Sequence, residues 1–564
     1  MKSVKHIIAI LLVAFTTMLL AGCKKSLELA PYNAFADQTA FTTPERCLLA
    51  MNGVYDAAQS GDYDPLNGTA HSVRGYPFGA ASIEQGEMRG EDMVNIATFY
   101  QITYQATYSP VSPNNVNMWI NLYLLINKAN LSIDGFRSAL SKGVITPAWE
   151  TQYEGECLFL RAMAHHELLI NFARPYLDGN GSQLGVPYHD YSVSTPADIA
   201  RVKAQPRDLV SVCYAKILAD LDSAESKLGA SVPPTVIGVA VPAGSNTFRA
   251  TKAAAIALKM RVKLHKGDWA GVIAEGNKLI PAVINPLNPP SVVSPIGGWA
   301  LTALPNGPFT NNTSTESMFS IKNDALDNTG VNAALAQMFG PNVPGRGLVA
   351  ISPAIYNLPS WRCDDKRRDT AVFVGATTTP NPNQMILYGQ SNANTKSFFT
   401  KKYTDYVNQS DYAPMIRYAE VLLTQAEAEA RNAGGVSQRA IDLLNTVRNR
   451  SLPSPATQQY IAANFTDKIA LIKAILDERR IEFVAEGKRW GDIHRLALDP
   501  NFSTGGIPAK AVNGFNNNGG AYGCASGVPV LGQGAIPYSD FRFLWPIPQD
   551  ERVSNPIVAQ NPGY

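Results

Sequence analysis

Residues 414–450 read PMIRYAEVLLTQAEAEARNAGGVSQRAIDLLNTVRNR, and this stretch decides which fold the rest of the chain must fit. Small and apolar residues recur along its first half at steps of three and four, the spacing of one helix face. They are Met415, Ala419, Leu422, Ala426 and Ala430. Pro414 is placed to open this helix, and Gly434-Gly435 to end it. Ser437 can cap a second helix, whose apolar stripe consists of Ile441, Leu444 and Val447.

Two helices joined by such a short connection lie antiparallel as a helical hairpin. The alanines of the first helix allow its partner to approach closely, as tetratricopeptide-type repeats require. An earlier pair, Arg249–His265 and Ala270–Ile280, has the same form, with Gly267 placed for a left-handed residue at the turn. A further helix is predicted over Asp467–Glu486. The sequence therefore predicts a mainly α protein built from irregular tetratricopeptide-like helical hairpins.

Long segments between these helices lack helical periodicity and are rich in Gly, Asn, Pro and aromatic residues. We predict a single domain over residues 43–564. Its helical scaffold is expected at about 43–60, 115–280 and 412–496, and its loop-rich, ligand-binding parts at about 61–114, 281–411 and 497–543. Loops of such length inside a compact domain are typically functional or disordered, and their many aromatic residues favour ordered surface.

The N-terminus has the features of an export signal. Lys2 and Lys5 precede the uncharged run Ile7–Leu20, which is too short for a comfortable membrane span. Leu20-Ala21-Gly22-Cys23 closes the run with small residues suited to cleavage. We predict a lipoprotein signal peptide at 1–22, lipidation of Cys23 and a lipid-anchored tether at 23–42. The alternative is an ordinary signal peptide with an incidental cysteine.

Charge and cysteine content exclude some functions. Removing residues 1–22 takes away two of the 48 basic residues and none of the 46 acidic ones, which leaves 46 of each. A balanced charge without a basic stripe argues against nucleic-acid binding. The five cysteines beyond Cys23 show neither a zinc pattern nor a disulfide framework, and we expect most of them to be buried and inert.

A series of motifs is distributed along almost the whole chain. In order they are the Leu20–Cys23 lipobox, Trp119…Tyr123…Ile126-Asn127-Lys128-Ala129-Asn130, Glu154-Gly155-Glu156…Phe159-Leu160-Arg161-Ala162…His166, Arg417-Tyr418-Ala419-Glu420-Val421-Leu422-Leu423, Glu478-Arg479-Arg480-Ile481-Glu482-Phe483…Glu486-Gly487…Arg489-Trp490, Leu544-Trp545-Pro546-Ile547-Pro548, and Gln560-Asn561-Pro562-Gly563-Tyr564. No single one of these motifs is specific, but their order is.

Together these motifs resemble the SusD/RagB family of outer-membrane nutrient-binding lipoproteins. The resemblance implies a surface-exposed protein that covers a SusC-type TonB-dependent transporter and carries its ligand site on loops above tetratricopeptide-like helix pairs. Most family members bind glycans and some bind peptides. One departure is that Lys24-Lys25 follow the lipobox cysteine, where exported surface lipoproteins often have acidic residues.

Three glutamates, Glu478, Glu482 and Glu486, lie on one helix face at steps of four. Paired carboxylates can be catalytic or bind a metal, but here we predict a structural ion-pair network, because adjacent carboxylates repel unless cations face them. The candidate cations are Arg161, Arg417, Arg448 and Arg450. His165-His166 does not form a zinc motif. We therefore predict no enzyme activity, no catalytic residue, no metal site and no cofactor.

Aromatic residues in the loops are the remaining candidates for function. Sugar rings pack their C–H faces on aromatic side chains, and ordered aromatic residues provide contact area at a small entropy cost. The predicted ligand-binding residues are Tyr76, Phe99, Tyr100, Trp299, Tyr356 and Trp361. For each ring, burial in the core is the competing interpretation.

The leading hypothesis is a glycan-capture lipoprotein that delivers oligosaccharide to its transporter without hydrolysing it. A peptide-binding member of the same family and a helical-repeat assembly protein without a small ligand remain alternatives. A glycosidase is the third class of alternative. It would need two carboxylates across a cleft at a defined separation, which a sequence alone does not show.

Overall fold

The structure is a computed structural model. It describes residues 39–59, 75–233, 241–328, 330, 333–368, 397–515, 521–527 and 532–564, and the strand backbone at 62–64, 69–71, 235–236, 239–240, 387–392 and 395–396. The predicted signal peptide, Cys23 and most of the tether lie outside the described residues.

Helices dominate the described part of the chain. Those of eight residues or more are α1 (Pro44–Gln59), α2 (Ala80–Met88), α3 (Pro113–Ser141), α4 (Pro147–Phe172), α5 (Pro196–Lys203), α6 (Val210–Lys227), α7 (Lys252–Lys266), α8 (Trp269–Leu279), α9 (Tyr418–Asn432), α10 (Gln438–Arg448), α11 (Lys468–Phe483) and α12 (Lys488–Arg495). Shorter helical turns lie at Gln101–Tyr104, Gly179–Gly181, Ser245–Phe248, Pro289–Ser291, Gly307–Thr310, Leu335–Phe339, Pro353–Tyr356, Asn449–Ser451, Pro455–Gln458, Ala462–Asn464, Phe541–Phe543 and Gln549–Ser554.

The strands are short, and each pairs antiparallel with one partner. They are β1 (Asp62–Asp64), β2 (Thr69–His71), β3 (Met93–Asn95), β4 (Thr235–Val236), β5 (Val239–Ala240), β6 (Ser317–Ile321), β7 (Val349–Ile351), β8 (Leu387–Asn392), β9 (Thr395–Thr400), β10 (Ala413–Arg417), β11 (Gly506–Ile507) and β12 (Ile536–Pro537). The pairs are β1–β2, β3–β7, β4–β5, β6–β10, β8–β9 and β11–β12.

Local sequence signals account for both predicted hairpins. Gly267 has φ of 77°, and Asp268 then caps α8 by accepting a hydrogen bond from Gly271 N at 2.9 Å. Ser437 caps α10 through Ala440 N at 3.2 Å, and Asp467 caps α11 through Ala470 N at 2.8 Å. These hairpins confirm the predicted helical-repeat architecture.

The helices stack one upon the next. Helix α1 packs on α3, α3 on α4, α4 on α6, α6 on α7, α7 on α8, and α8 on α9, which also contacts α10 and α11. Ala419, Ala426 and Ala430 of α9 are completely buried, because a small side chain lets neighbouring backbones approach. The predicted mainly α fold class is confirmed.

The predicted start of α9 was wrong. Pro414 lies in β10, opposite Ser320 of β6, and the helix begins four residues later at Tyr418. Pairing with β6 holds residues 413–417 extended, and the backbone N–H of Tyr418 donates to Glu316 O at 2.9 Å. The helical spacing of Met415 with α9 is therefore coincidental.

Glu482 lies at the centre of a buried ion-pair network. Its Oε1 accepts hydrogen bonds from Arg450 Nη2 at 2.6 Å and Arg417 Nη1 at 3.0 Å, and its Oε2 accepts one from Arg367 Nη1 at 3.0 Å. Glu486 binds Arg417 at 2.8 Å. The network joins α11 to β10, to residues after α10 and to the loop that carries Arg367.

The predicted structural role of the three glutamates is thus confirmed, with two corrections to the cations. Arg417 and Arg450 belong to the network, and Arg448 lies 4.0 Å from Glu478 at its edge. Arg161 instead makes a separate pair with Asp220 of α6, at 2.6 and 2.8 Å. Lys402 Nζ also donates to Glu486 Oε1 at 2.5 Å. Arg367 and Lys402 come from loop-rich parts of the sequence, where helical spacing gives no information.

Glu482→Gln is expected to lower the free energy of unfolding by about 3–5 kcal/mol, because it leaves buried guanidinium groups without their counter-charge. Urea unfolding followed by circular dichroism measures this change. Asp364→Asn is the matched control, since its exposed pair with Arg362 contributes less than about 1 kcal/mol. Equal effects of the two substitutions would contradict a central role for Glu482.

The same variant gives a pH test. Burial alone would raise the pKa of Glu482, but Arg450, Arg417 and Arg367 lower it to about 2. An unfolded glutamate titrates near 4.3, so the stabilisation is complete above that pH and is lost as pH falls towards 2. The difference in melting temperature between wild type and Glu482→Gln should therefore shrink over this interval.

Candidate functional site

The six predicted ligand-binding rings do not share one exposed face. Phe99 is 37% exposed, whereas the other five are at most 6% exposed: Tyr76, Tyr100, Trp299, Tyr356 and Trp361. The expectation that these five form a solvent-facing platform is therefore corrected. Each ring is covered by neighbouring groups that bury its large apolar area.

Tyr356 and Trp361 belong to a buried aromatic cluster. Tyr356 stacks on Phe398 with ring centroids 4.5 Å apart, meets Tyr522 edge to face at 5.3 Å, and lies 6.2 Å from Trp361. The guanidinium group of Arg368 lies over the Tyr356 and Trp361 rings, with Cζ at 4.4 and 4.7 Å from their centroids. These contacts leave neither ring face open to a sugar.

The other three buried rings support turns. Trp299 packs so closely on Gly297 that a Cβ at Gly297 would lie 2.6 Å from Trp299 Nε1. Tyr100 meets Phe99 edge to face at 5.0 Å, and its N–H donates to Asn95 Oδ1 at 3.2 Å. Tyr76 lies in the turn before α2 and is 1% exposed.

Phe99 stands on a surface assembled from three distant segments. Strand β3 pairs with β7, and both Ile96 N and Ala97 N then donate to Leu348 O at 3.0 and 3.2 Å. Gly514 N donates to Asn95 O at 2.8 Å, which brings in the third segment. Residues 93–102, 346–351 and 511–515 thus meet around one exposed ring, and we call this area the Phe99 surface.

Polar groups surround the Phe99 ring. Arg346 Cζ lies 4.9 Å from its centroid. Asn513 accepts a hydrogen bond from Asn95 Nδ2 at 2.7 Å and donates one to Gln101 Oε1 at 3.4 Å. Thr98, directly before Phe99, has φ of 60°, a rare conformation for a β-branched residue that is found preferentially at functional sites.

A cavity of about 380 Å³ lies between α1 and β6. This volume falls within the roughly 300–1,000 Å³ of small-molecule pockets. Its lining residues are Leu48, Asn52, Tyr55, Asp56, Gln59, Val241, Pro242, Phe248, Arg249, Ile321, Lys322 and Asp327. We call it the Tyr55 cavity. It combines two half-buried aromatic rings with amide and carboxylate groups.

Buried hydrogen bonds fix the walls of the Tyr55 cavity. Tyr55 Oη donates to Glu156 Oε2 at 2.6 Å, and both Glu156 oxygens accept from Arg249 at 2.9 Å. Gln59 Nε2 donates to Lys322 O at 2.8 Å. The tyrosine therefore presents its ring rather than its hydroxyl group to the cavity.

Acceptor groups lie where the cavity meets solvent. Asn52, Asp56 and Asp327 line it and are exposed. Burial and the nearby Asp56 carboxylate raise the pKa of Asp327. Amide and carboxylate oxygens beside aromatic rings are suited to hold the hydroxyl groups of a sugar while its C–H face packs on a ring.

The sequence analysis did not predict this cavity, because it assigned residues 43–60 to the helical scaffold and not to the ligand-binding parts. A signal was nevertheless present. One face of α1 carries amide, acid and aromatic residues at steps of three and four, namely Leu48, Asn52, Tyr55, Asp56 and Gln59. A helix face that only packs in the core would be more uniformly apolar.

His165 and His166 are buried in the interior of the protein. His165 stacks on Tyr188 with centroids 3.7 Å apart, and His165 Nδ1 lies 3.0 Å from Arg161 O. Burial lowers the pKa of His166 to about 3. In the part of the chain that the structure describes, no group of three or more His, Cys, Asp or Glu side chains is arranged to hold a metal ion.

A disulfide joins Cys363 to Cys524, which corrects the expectation that no disulfide would be recognisable. The two cysteines are 161 residues apart, so spacing could not pair them. Around the bond, Asn357 Nδ2 donates to Ala521 O at 2.8 Å and Asn357 Oδ1 accepts from Gly523 N at 2.9 Å. Cys47, Cys157 and Cys213 are free and buried, as expected for most of the cysteines.

Known proteins resemble this chain over nearly its full length. A model of the SusD family matches residues 315–564, and a model described as starch-binding associating with outer membrane matches residues 79–264. SusD-like protein P38 of Formosa agariphila is 26% identical, and the alignment covers 100% of both chains.

Solved structures agree with these matches. A SusD superfamily protein from Bacteroides fragilis is 26% identical, with a TM-score of 0.67 over 92% of this chain and 99% of its own. A putative sugar binding protein from Bacteroides vulgatus shares the fold at 20% identity, with a TM-score of 0.65 over 93% of this chain and 99% of its own.

The fold and these matches define a helical-repeat protein of the class that the two matching models describe, namely the SusD family and starch-binding proteins associating with the outer membrane. The chain belongs to the SusD/RagB family. Neither matching model describes an enzyme family. Among the described residues, no helix combines the length and apolar character needed to cross a bilayer.

Replacing Cys363 and Cys524 together by serine is expected to lower the free energy of unfolding by about 2–4 kcal/mol, since the disulfide restricts the unfolded chain. Far-ultraviolet circular dichroism should be unchanged, because the scaffold helices do not depend on the bond. Cys213→Ser, at a free buried cysteine, provides the control for serine substitution. An unchanged urea midpoint in the double variant would contradict the stabilising role.

Proposed function

We propose that this protein is a cell-surface lipoprotein that captures oligosaccharide and delivers it to a SusC-type TonB-dependent transporter. The observation that carries the proposal is the Tyr55 cavity, where two aromatic rings lie beside amide and carboxylate groups within a rigid wall. Membership of a sugar-binding family supports the ligand class. Phe99 and its polar neighbours provide a second contact area for a longer glycan.

Affinity for the glycan should be modest. Stacking on one or two rings and a few hydrogen bonds that replace water yield a few kcal/mol, against the cost of ordering a flexible chain. We expect dissociation constants in the micromolar range or weaker. Calorimetric titration with plant, fungal and host oligosaccharides tests this, with peptides as a parallel panel.

The panel separates the competing functions. Binding of peptides without detectable binding of any glycan would replace the sugar proposal by the peptide-binding alternative. No detectable binding in either panel would favour a helical-repeat assembly protein without a small ligand. Hydrolysis of any glycan by the pure protein would contradict a purely binding role.

Phe248→Ala should weaken binding of the best panel glycan about two- to twelvefold, because an aromatic contact contributes about 0.5–1.5 kcal/mol. Phe99→Ala should have a comparable effect on longer oligomers and none on the shortest ligand that binds. Calorimetry measures both. Phe541→Ala is the matched control, since Phe541 is 41% exposed and packs on Tyr564. Equal weakening by all three variants would contradict the assignment of the site.

Cys23→Ser should abolish acylation and release the protein from the membrane fraction, because the acyl chains on Cys23 are the proposed anchor. Labelling with an azide-tagged fatty acid in a bacterial host that exports such lipoproteins measures acylation. Cys47→Ser replaces a buried cysteine of the folded domain and serves as the control, which should still incorporate the fatty acid. Fatty-acid incorporation into Cys23→Ser would contradict lipidation at that residue.

Protease treatment of intact cells tests display at the cell surface, where Lys24-Lys25 depart from the usual acidic pattern. Digestion of the wild-type protein in intact cells supports surface exposure. Protection until the outer membrane is permeabilised would place the protein on the periplasmic side and contradict capture at the surface.

A further inference from the structure

Exposed apolar side chains are concentrated on one part of the surface, where four segments of the chain meet. Each segment carries at least one large apolar residue that is 38–71% exposed, namely Leu184, Ile199, Leu209, Val212, Val553 and Ile557. We call this area the Leu209 patch. Single exposed apolar residues are common on protein surfaces, but a cluster of six is not.

Hydrogen bonds hold three of the four segments next to one another. Leu184 and Leu209 face each other in an isolated antiparallel bridge. The buried Arg207 side chain donates to Leu184 O and to Ala559 O, both at 3.1 Å. Ala559 follows Ile557 by two residues, so the C-terminal segment lies beside the bridge.

The fourth segment is helix α5. Asn555 lies between Val553 and Ile557 in the chain, and its Nδ2 donates to Val202 O at 3.0 Å. Val202 belongs to α5 and follows Ile199 by three residues. The C-terminal segment therefore connects α5 to the bridge, and the six residues form one area.

Two helices at this area have faces that no other described element covers. Helix α5 has no buried residue, although its N-terminus is fully capped by Thr195 and Asp198. Helices in proteins are usually stabilised by packing of an apolar face. On α6, Val212, Ala215 and Ala219 are exposed at steps of three and four, the spacing of one helix face.

The size of the Leu209 patch is that of an interface centre. An aliphatic side chain has about 100 Å² of apolar surface, so six that are about half exposed present roughly 300 Å². A contiguous apolar area of a few hundred Å² marks an interaction site. It is the right order for the apolar centre of a protein interface of about 800 Å² per partner.

The position of the tether limits which partner can reach the patch. The described chain begins at residue 39, and the Phe41 ring packs on Phe136 near the C-terminal end of α3, with centroids 5.4 Å apart. The C-terminal segment of the patch contacts α3 nearer its other end, where Trp119 Nε1 donates to Glu551 Oε2 at 3.3 Å. Along α3, Trp119 and Phe136 are about 25 Å apart.

The predicted tether is long enough to cover this distance. Residues 23–38 span at most about 55 Å when fully extended. A lipid on Cys23 can therefore remain in the bilayer while the Leu209 patch contacts a protein embedded in the same membrane. Capture and delivery require one such contact, with the transporter.

We propose that the Leu209 patch is the surface by which this protein docks on its SusC-type transporter. The assignment rests on the proposed function, which supplies the partner. The patch is built from α5, α6 and the C-terminal segment, whereas the Tyr55 cavity lies between α1 and β6. Docking and glycan binding therefore use different residues, and each can be tested without the other.

Co-purification from the native host tests the proposal. Tagged full-length protein is extracted in detergent, and TonB-dependent transporters that co-purify are identified and quantified by mass spectrometry. Val212→Glu should lower their recovery about tenfold or more, because a carboxylate buried in an apolar contact is unfavourable. Val283→Glu is the matched control, since Val283 is 88% exposed and outside the patch. Equal recovery with wild type and both variants, or no transporter with wild type, would overturn the proposal.

Photocrosslinking locates the contact without relying on a disruptive variant. Benzoylphenylalanine in place of Val212 should form a covalent adduct with the transporter in intact cells, and the same group in place of Val283 should not. An adduct from Val283 alone, or from neither position, would contradict docking through the patch.

Two other occupants give distinct results with the soluble Cys23→Ser protein. Light scattering should show a monomer; a dimer that Val212→Glu dissociates would identify a second copy of this chain and overturn the proposal. Sedimentation with phosphatidylethanolamine–phosphatidylglycerol vesicles should leave the protein in solution. Vesicle binding that Val212→Glu abolishes would identify a lipid surface and would also overturn it.

Glycan titration separates a failure of docking from a failure of the proposed function. Val212→Glu should keep the wild-type melting temperature and glycan affinity, because Val212 is exposed and distant in the chain from the cavity walls. Transporter adducts at Val212 without binding of any glycan would support docking and contradict the sugar ligand. Glycan binding with no adduct at Val212 would support the ligand and overturn the docking surface.

Discussion

The junction between the loops and the helical scaffold depends on the neutralisation of buried charge at Glu482. Three arginines from separate parts of the chain converge on that carboxylate, and one of them, Arg367, comes from a segment outside the helical scaffold. Removing such charges from water is costly, so the network is tolerated only when every partner is in place. The loops and the scaffold are therefore held together cooperatively, because the segments that carry these charged residues must all be in place at once.

Local rules made the scaffold predictable. Caps at Ser437 and Asp467 and the left-handed turn at Gly267 act within a few residues, so the sequence determines them directly. The role of Glu478, Glu482 and Glu486 was also predictable, since like charges at steps of four need opposing cations. The strand at Pro414 was not predictable in this way, because the residue with which Pro414 pairs lies almost 100 residues away in β6.

The exposure of the predicted rings was predictable only in part. Sequence shows that Tyr356 and Trp361 are aromatic residues in a loop, but their exposure depends on Phe398, Arg368 and Tyr522, which arrive from elsewhere. Phe99 was predicted as an aromatic residue of the first long loop, and of the six predicted rings it alone is exposed. The Tyr55 cavity was missed because its ring lies on a helix, where an aromatic residue is usually part of the core.

The bond between Cys363 and Cys524 has a practical consequence for anyone preparing this protein. Disulfides do not persist in a reducing cytoplasm, so material overproduced there and purified with thiol reagents would begin with these two residues as free thiols. Asn357, Ala521 and Gly523 would then have to hold that loop by hydrogen bonds alone. Ligand screens on such material would sample a looser molecule than the exported one, and an oxidation step before assay is the remedy.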